Sequence, residues 1–159
     1  YLSEYAKRVQ GQYYSALLQP APNSYRWRGT RAPSTVRIGQ NQFPDMARSQ
    51  GVAGYHDVGN ARFVHLTGND PLLVLAPEPS PGPMLDSANA QLVSWRRSRK
   101  NGRWHIQMEL KGYQPLDFTL SGTSQCRVKG IRLNQKAANN VLHFHSDTKQ
   151  AGRVEMECR

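Results

Sequence analysis

The spacing of apolar residues changes period near residue 20. Leu2, Tyr5, Val9, Tyr13 and Leu17 recur at three- and four-residue steps, the spacing of one face of a helix. Gly11 weakens that pattern, and Pro20 and Pro22 end it because proline lacks the amide that a further turn requires. Residues 1–22 are therefore expected to form an amphipathic helix and connector. Beyond Pro22 the period falls to two, the repeat of a strand with one buried face, and residues 23–159 are expected to form one β-domain.

Within that domain, residues 25–28 (YRWR), 34–38 (STVRI), 61–66 (ARFVHL) and 72–75 (LLVL) read as short strands. Residues 41–54 read as a loop with one helical turn at 45–48, and 67–71 (TGNDP) carry turn chemistry. Residues 77–83 (PEPSPGP) are a proline-rich connector that cannot pair inside a sheet. The sharpest local expectation is a hairpin, with residues 92–100 and 103–110 as its strands and Asn101-Gly102 as a two-residue turn. Its register pairs Lys100 with Arg103. Val93, Trp95, Ile106, Met108 and Leu110 then share one face, and Ser94, Arg96, Ser98, His105, Gln107 and Glu109 share the other. Later strands follow at Leu116, Phe118 and Leu120, at Cys126 and Val128, and at 131–133, 141–145 (VLHFH) and 153–158 (RVEMEC). Many short strands with Gly/Asn turns predict a mostly β fold, an antiparallel β-sandwich of jelly-roll type carrying one N-terminal helix.

Composition modifies this picture. The 159 residues suit one domain of ordinary size, and the 38% hydrophobic share argues for a thin sandwich. Two cysteines, Cys126 and Cys158, are expected to form one disulfide tying the last strand to an earlier one, the alternative being two reduced, buried thiols. The stretch shows no run near the ~20 apolar residues of a membrane helix, so it is not expected to span a membrane. With no initial Met, the chain reads as a fragment or mature product. A formal charge of +10, from 21 Lys+Arg against 11 Asp+Glu, raises the prior for polyanions. No nucleic-acid motif accompanies that charge, so specific nucleic-acid binding is not expected.

Catalytic motifs are missing from the sequence: no G-x-S-x-G elbow, P-loop, G-x-G-x-x-G, H-E-x-x-H or C-x-x-C. No catalytic residue and no cofactor is expected. His143 and His145 alternate on one strand face and are candidate metal ligands, with Asp147 as a third; their commoner role is an ordinary polar face, and no metal is expected. If the ligand is a sugar, rings that can stack on a pyranose matter most. Trp104, Trp27 and Tyr113 are the candidates, with His105 and Arg96 as adjacent polar groups, whereas Trp95 falls on the core face. The basic run at 96–103 suits a solvated hairpin tip or an anionic partner.

Several phrases occur together and in order: SEYAKRV at 3–9, PDMARSQGVAGY at 44–55, RFVHLTGND at 62–70, SANAQLVSW at 87–95, and GYQPLDFTLSG at 112–122 with the nearby Cys126. This set resembles the C-terminal β-rich region of Pel-type bacterial exopolysaccharide-processing proteins, which join a glycoside-hydrolase to a polysaccharide-deacetylase domain. None of the phrases is catalytic. The resemblance implies a periplasmic or secreted location and catalytic domains upstream. It also implies an amino-sugar polymer or those catalytic domains as partner, and a role in the biofilm matrix.

The leading expectation is a non-catalytic accessory module, carbohydrate-binding, of an exopolysaccharide-modifying enzyme. Two alternatives stand beside it: a structural or assembly domain such as a pilin-like ectodomain, and a basic polyanion-binding domain. The +10 charge sits awkwardly with a partly deacetylated, cationic amino-sugar polymer.

Overall fold

The computed structural model describes residues 16–28, 34–112, 114–147 and 152–159. Among the described residues all fifteen elements are strands, and every pairing between them is antiparallel. The chain divides into two compact units between Ser80 and Pro81, inside the proline-rich connector, where prolines without amide donors cannot continue a ladder.

The first unit contains β1 (Ala16–Ala21), β2 (Ser24–Arg28), β3 (Thr35–Ile38), β4 (Phe43–Pro44), β5 (Val52–Val58), β6 (Ala61–Leu66) and β7 (Leu72–Ala76). They form one sheet in the order β1-β2-β7-β4 and another in the order β3-β6-β5. Val52, Val64 and Leu66 of the second sheet join Leu73 and Leu75 of the first in one core, against which Tyr25, Trp27, Val36, Ile38, Met46 and Tyr55 pack.

Arg62 sits on the buried face of β6 beside Val64 and Leu66. Its guanidinium is paired through two bonds of 2.7 and 2.8 Å to Asp57, directly opposite on β5. It also donates to the carbonyls of Gln40 and Gln42 at 3.1 and 2.8 Å. It lies 4.1 Å from the ring centre of Phe43 and 4.5 Å from that of Tyr55. A planar fork with five donors satisfies all these partners at once, which an ammonium cannot do. The bonds from Arg62 hold the Asp57 carboxyl below its ordinary value.

The second unit contains β8 (Met84–Ala88), β9 (Gln91–Lys100), β10 (Arg103–Lys111), β11 (Asp117–Ser121), β12 (Cys126–Lys129), β13 (Asn134–Ala138), β14 (Val141–His145) and β15 (Gly152–Cys158). Their sheets run β12-β15-β10-β9 and β13-β14-β11-β8, so the chain passes repeatedly from one sheet to the other. Alternation decides which face is buried. Ile106, Met108 and Leu110 of β10 align with Val154 and Met156 of β15, and Phe118 and Leu120 of β11 oppose Phe144 and Leu142 of β14. The Phe118 and Phe144 rings stack at 4.8 Å. Gln135 on β13 joins the sheets: its side chain meets both the amide and the carbonyl of Cys126 on β12, at 3.4 and 2.8 Å.

Two features of the expected architecture are corrected. Among the described residues there is no helix. Residues 16–18 belong to β1, which pairs with β2 across a turn where Asn23 takes a φ of 58°; residues 1–15 of the expected helix lie outside the described residues. The single jelly-roll-like sandwich is replaced by four small antiparallel sheets, two in each unit. Short turns favour pairing of near neighbours, so most sheets are built on local hairpins. The mostly β class holds.

The Asn101-Gly102 hairpin forms as expected, with φ of 53° and 75° at its two turn residues and Lys100 opposite Arg103. Its register holds down to Glu109 opposite Ser94 and then shifts, so that Leu110 faces Leu92. This bulge leaves Val93 at 40% exposure, which corrects its expected place on the core face. Cys126 and Cys158 are joined, directly opposite one another on β12 and β15. Both are buried, as expected of a core-side disulfide.

Candidate functional site

The most distinctive surface of the second unit is the β9–β10 hairpin. Six Lys or Arg residues and one acid occur between Gln91 and Lys111. Strand alternation sends these charges to two different faces.

On the inward face Trp95, Arg97 and Arg99 oppose Met108, Ile106 and Trp104. Trp95 is buried, and its Nε1 is the buried side-chain donor left without a partner among the described residues. Arg97 donates to the carbonyls of Pro81 and Pro83 at 2.8 and 3.3 Å and lies 4.5 Å from the Trp104 ring centre. Burial pulls its guanidinium below its ordinary value. Arg99 lies 5.5 Å from the same ring. Gly82 meets the indole edge so closely that a Cβ there would stand 2.3 Å from a ring carbon. Trp104 is therefore the bed for two arginines and a glycine.

On the outward face Arg96 opposes Gln107, and Ser98 opposes His105. Arg96, Arg97, Ser98, His105 and Gln107 line an open depression of about 410 Å³. The rows continue across the sheet, His105 to Glu157 to Arg127 and Gln107 to Glu155 to Lys129. Arg103 engages Glu157 at 2.7 Å, and this bond holds the Glu157 carboxyl below its ordinary value. Among the described residues the arginines in ion pairs are Arg48, Arg62 and Arg103. Arg96, Arg99 and Lys100 have no acidic partner among those residues. The depression thus combines a guanidinium, an imidazole, a hydroxyl and an amide, all suited to an oxygen-rich, negatively charged group.

Of the ring candidates, Trp104 is half-buried beside Arg97 and Arg99, and Trp27 is half-buried against the core of the first unit. Tyr113 lies outside the described residues. Arg96 and His105 come together at the depression. Ser98 and Gln107 join them there, and their shared outward phase in the hairpin is the signal that marks them.

His143 and His145 lie on the outward face of β14 and share one carboxylate. Asp117 Oδ1 lies 2.5 Å from His143 Nε2, and Oδ2 lies 3.4 Å from His145 Nδ1. Asp147, expected as a third ligand, is bonded to Asn134 at 3.0 Å. No cluster of three or more His, Cys, Asp or Glu among the described residues is arranged to hold a metal ion.

The bond from His143 holds the Asp117 carboxyl below its ordinary value. A depressed carboxyl pKa contributes stability above the unfolded value, near pH 4, that is lost as pH falls through the folded value. Asp117→Asn is thus expected to flatten the acid limb of stability below about pH 4, measured as the urea midpoint against pH. The effect is small because the carboxylate side chain is 42% exposed. A variant limb as steep as that of the native protein would remove Asp117 from the acid response.

No helix among the described residues is long and apolar enough to cross a membrane. Compared with known proteins, the chain matches no family model, no curated protein and no solved structure.

Proposed function

We propose that this chain is a non-catalytic, glycan-binding accessory module acting in the periplasm or outside the cell, in the service of a protein that processes an exopolysaccharide. The observation that carries this reading is the open depression on the β9–β10 hairpin, where Arg96, Ser98, His105 and Gln107 converge. The hairpin beneath it is held on its other side by Arg97, the Pro81 and Pro83 carbonyls and the Trp104 ring. A preorganised polar surface on a strand pair binds with little ordering cost. The Cys126–Cys158 disulfide fits an oxidising compartment.

Recognition at this depression runs through hydrogen bonds and charge, because its lining of Arg96, Arg97, Ser98, His105 and Gln107 holds no indole. The test is calorimetric titration of the full chain with neutral N-acetylhexosamine oligomers and with acidic oligosaccharides. Binding of either class that weakens at least about fivefold in a Ser98→Ala/Gln107→Ala variant supports the reading, since each lost hydrogen bond is worth roughly 1 kcal/mol. No measurable binding of any glycan would refute it.

A further inference from the structure

We infer that the depression between β9 and β10 is a subsite for the acidic group of an anionic polysaccharide, its carboxylate or sulfate seated between Arg96 and His105. This rests on the glycan-binding reading above and adds the charge of the ligand.

Charge balance around the site carries the inference. The β9 edge presents Arg96 and Lys100 outward and Arg99 at its rim, and none of the three has an acidic partner among the described residues. The nearest acid in register is Glu109 of β10, opposite Ser94 on the same outward face, and the next ones are placed away from this edge. Glu157 and Glu155 stand on β15, separated from β9 by β10, and Glu157 is engaged by Arg103. A row of cations that outnumbers the single acid of its hairpin raises the local concentration of anions. Ser98 and Gln107 beside Arg96 supply neutral donors and acceptors, which suit the hydroxyls flanking an acidic group on a sugar ring. A planar carboxylate or a sulfate edge can take two bonds from a guanidinium. Nucleic acid fits less well. Single strands are gripped by bases stacking on open aromatic faces, and Trp104, the indole of this hairpin's rim, is capped by Arg97 and Arg99.

The experiment titrates the full chain with an oligogalacturonate, a sulfated oligosaccharide, a neutral N-acetylhexosamine oligomer and single-stranded DNA of matched charge, at 50 and 200 mM salt. Acidic oligosaccharides are expected to bind more tightly than the neutral oligomer. Their affinity should fall as salt rises, because each neutralised charge releases counterions. Arg96→Gln should lower acidic-glycan affinity about tenfold. Arg37→Gln, an equal charge loss on exposed β3 of the first unit, should change it less than about twofold, and circular dichroism checks that both variants fold. If the neutral oligomer binds as well as the acidic ones, the glycan reading stands and the acidic subsite falls. Should no glycan bind, both fall. Equal affinity for DNA, or equal losses in the two variants, means that only diffuse charge is at work and overturns the subsite.

Discussion

Gly122→Ala is expected to destabilise the second unit by about 2–5 kcal/mol, out of proportion to the single methyl group added. Gly122 has a φ of +74°, and a Cβ built there would stand 2.1 Å from the Gly82 carbonyl oxygen. An L-residue in the left-handed region costs about 1–2 kcal/mol, and forcing a methyl against rigid backbone adds about 1–3 kcal/mol. The obstacle is backbone, which cannot rotate aside as a side-chain end would. Displacement of Gly82 is resisted in turn, because Gly82 is wedged against the Trp104 indole. The carbonyls flanking Gly82, those of Pro81 and Pro83, are held by Arg97. Gly130→Ala is the matched control. Its φ is +87°, but a Cβ there meets nothing within 4 Å, so it should cost only the conformational share, about 1–2 kcal/mol. Urea unfolding of the two variants separates the cases: a lower midpoint for Gly122→Ala than for Gly130→Ala at unchanged slope is expected. Equal midpoints would show that the 81–83 segment moves freely and does not brace the hairpin.

The same residues show what could be read from the chain and what could not. The hairpin was legible because Asn101-Gly102 and strict alternation are local signals, and they fix register without knowledge of the rest of the fold. Its outward row of Arg96, Ser98, His105 and Gln107 was legible for the same reason. The bulge that turns Val93 outward was not, since a register shift leaves no mark in an alternating pattern. Arg62 illustrates a second limit. Alternation puts it in phase with Val64 and Leu66, but only the three-dimensional meeting with Asp57, Phe43 and Tyr55 explains why a guanidinium is tolerated there. Strand β13 (NQKAA) is exposed along its whole length and has no hydrophobic signal; pairing with β14 alone makes it a strand. Leu17 fits the apolar stripe of a helix as well as it fits β1, where its partner is Trp27. The aromatic candidates show a third limit. Exposure of Trp104 depended on which residues cover it, and Arg97 reaches it only because the connector at 81–83 supplies the carbonyls that hold the guanidinium in place.

Removing the Cys126–Cys158 bond is expected to cost about 3–4 kcal/mol, the loop-closure value for a span of this size; the two residues are 32 apart in sequence. The loss should concentrate on β12. In the described sheet this strand pairs with β15 alone, through four residue pairs that begin at the disulfide itself. Besides that ladder, what holds it are the Gln135 bonds to the Cys126 backbone, the 3.1 Å bond from the Arg159 amide to the Gln125 carbonyl and the 2.8 Å bond from the Thr123 hydroxyl to the Arg159 carbonyl. Hydrogen exchange on a Cys126→Ala/Cys158→Ala variant should show β12 amides losing protection first. Amides of β10, which is flanked on both sides by β9 and β15, should lose it only with global unfolding. Urea midpoints with and without reductant give the magnitude, with mass spectrometry confirming that the thiols are free. An unchanged midpoint in the reduced protein would mean that β12 is held by its hydrogen bonds alone, and the disulfide would then say nothing about where the chain works. A shift of the expected size is a large share of the roughly 5–15 kcal/mol that stabilises an ordinary domain. A bond that contributes to that degree fits an oxidising compartment, extracellular or periplasmic.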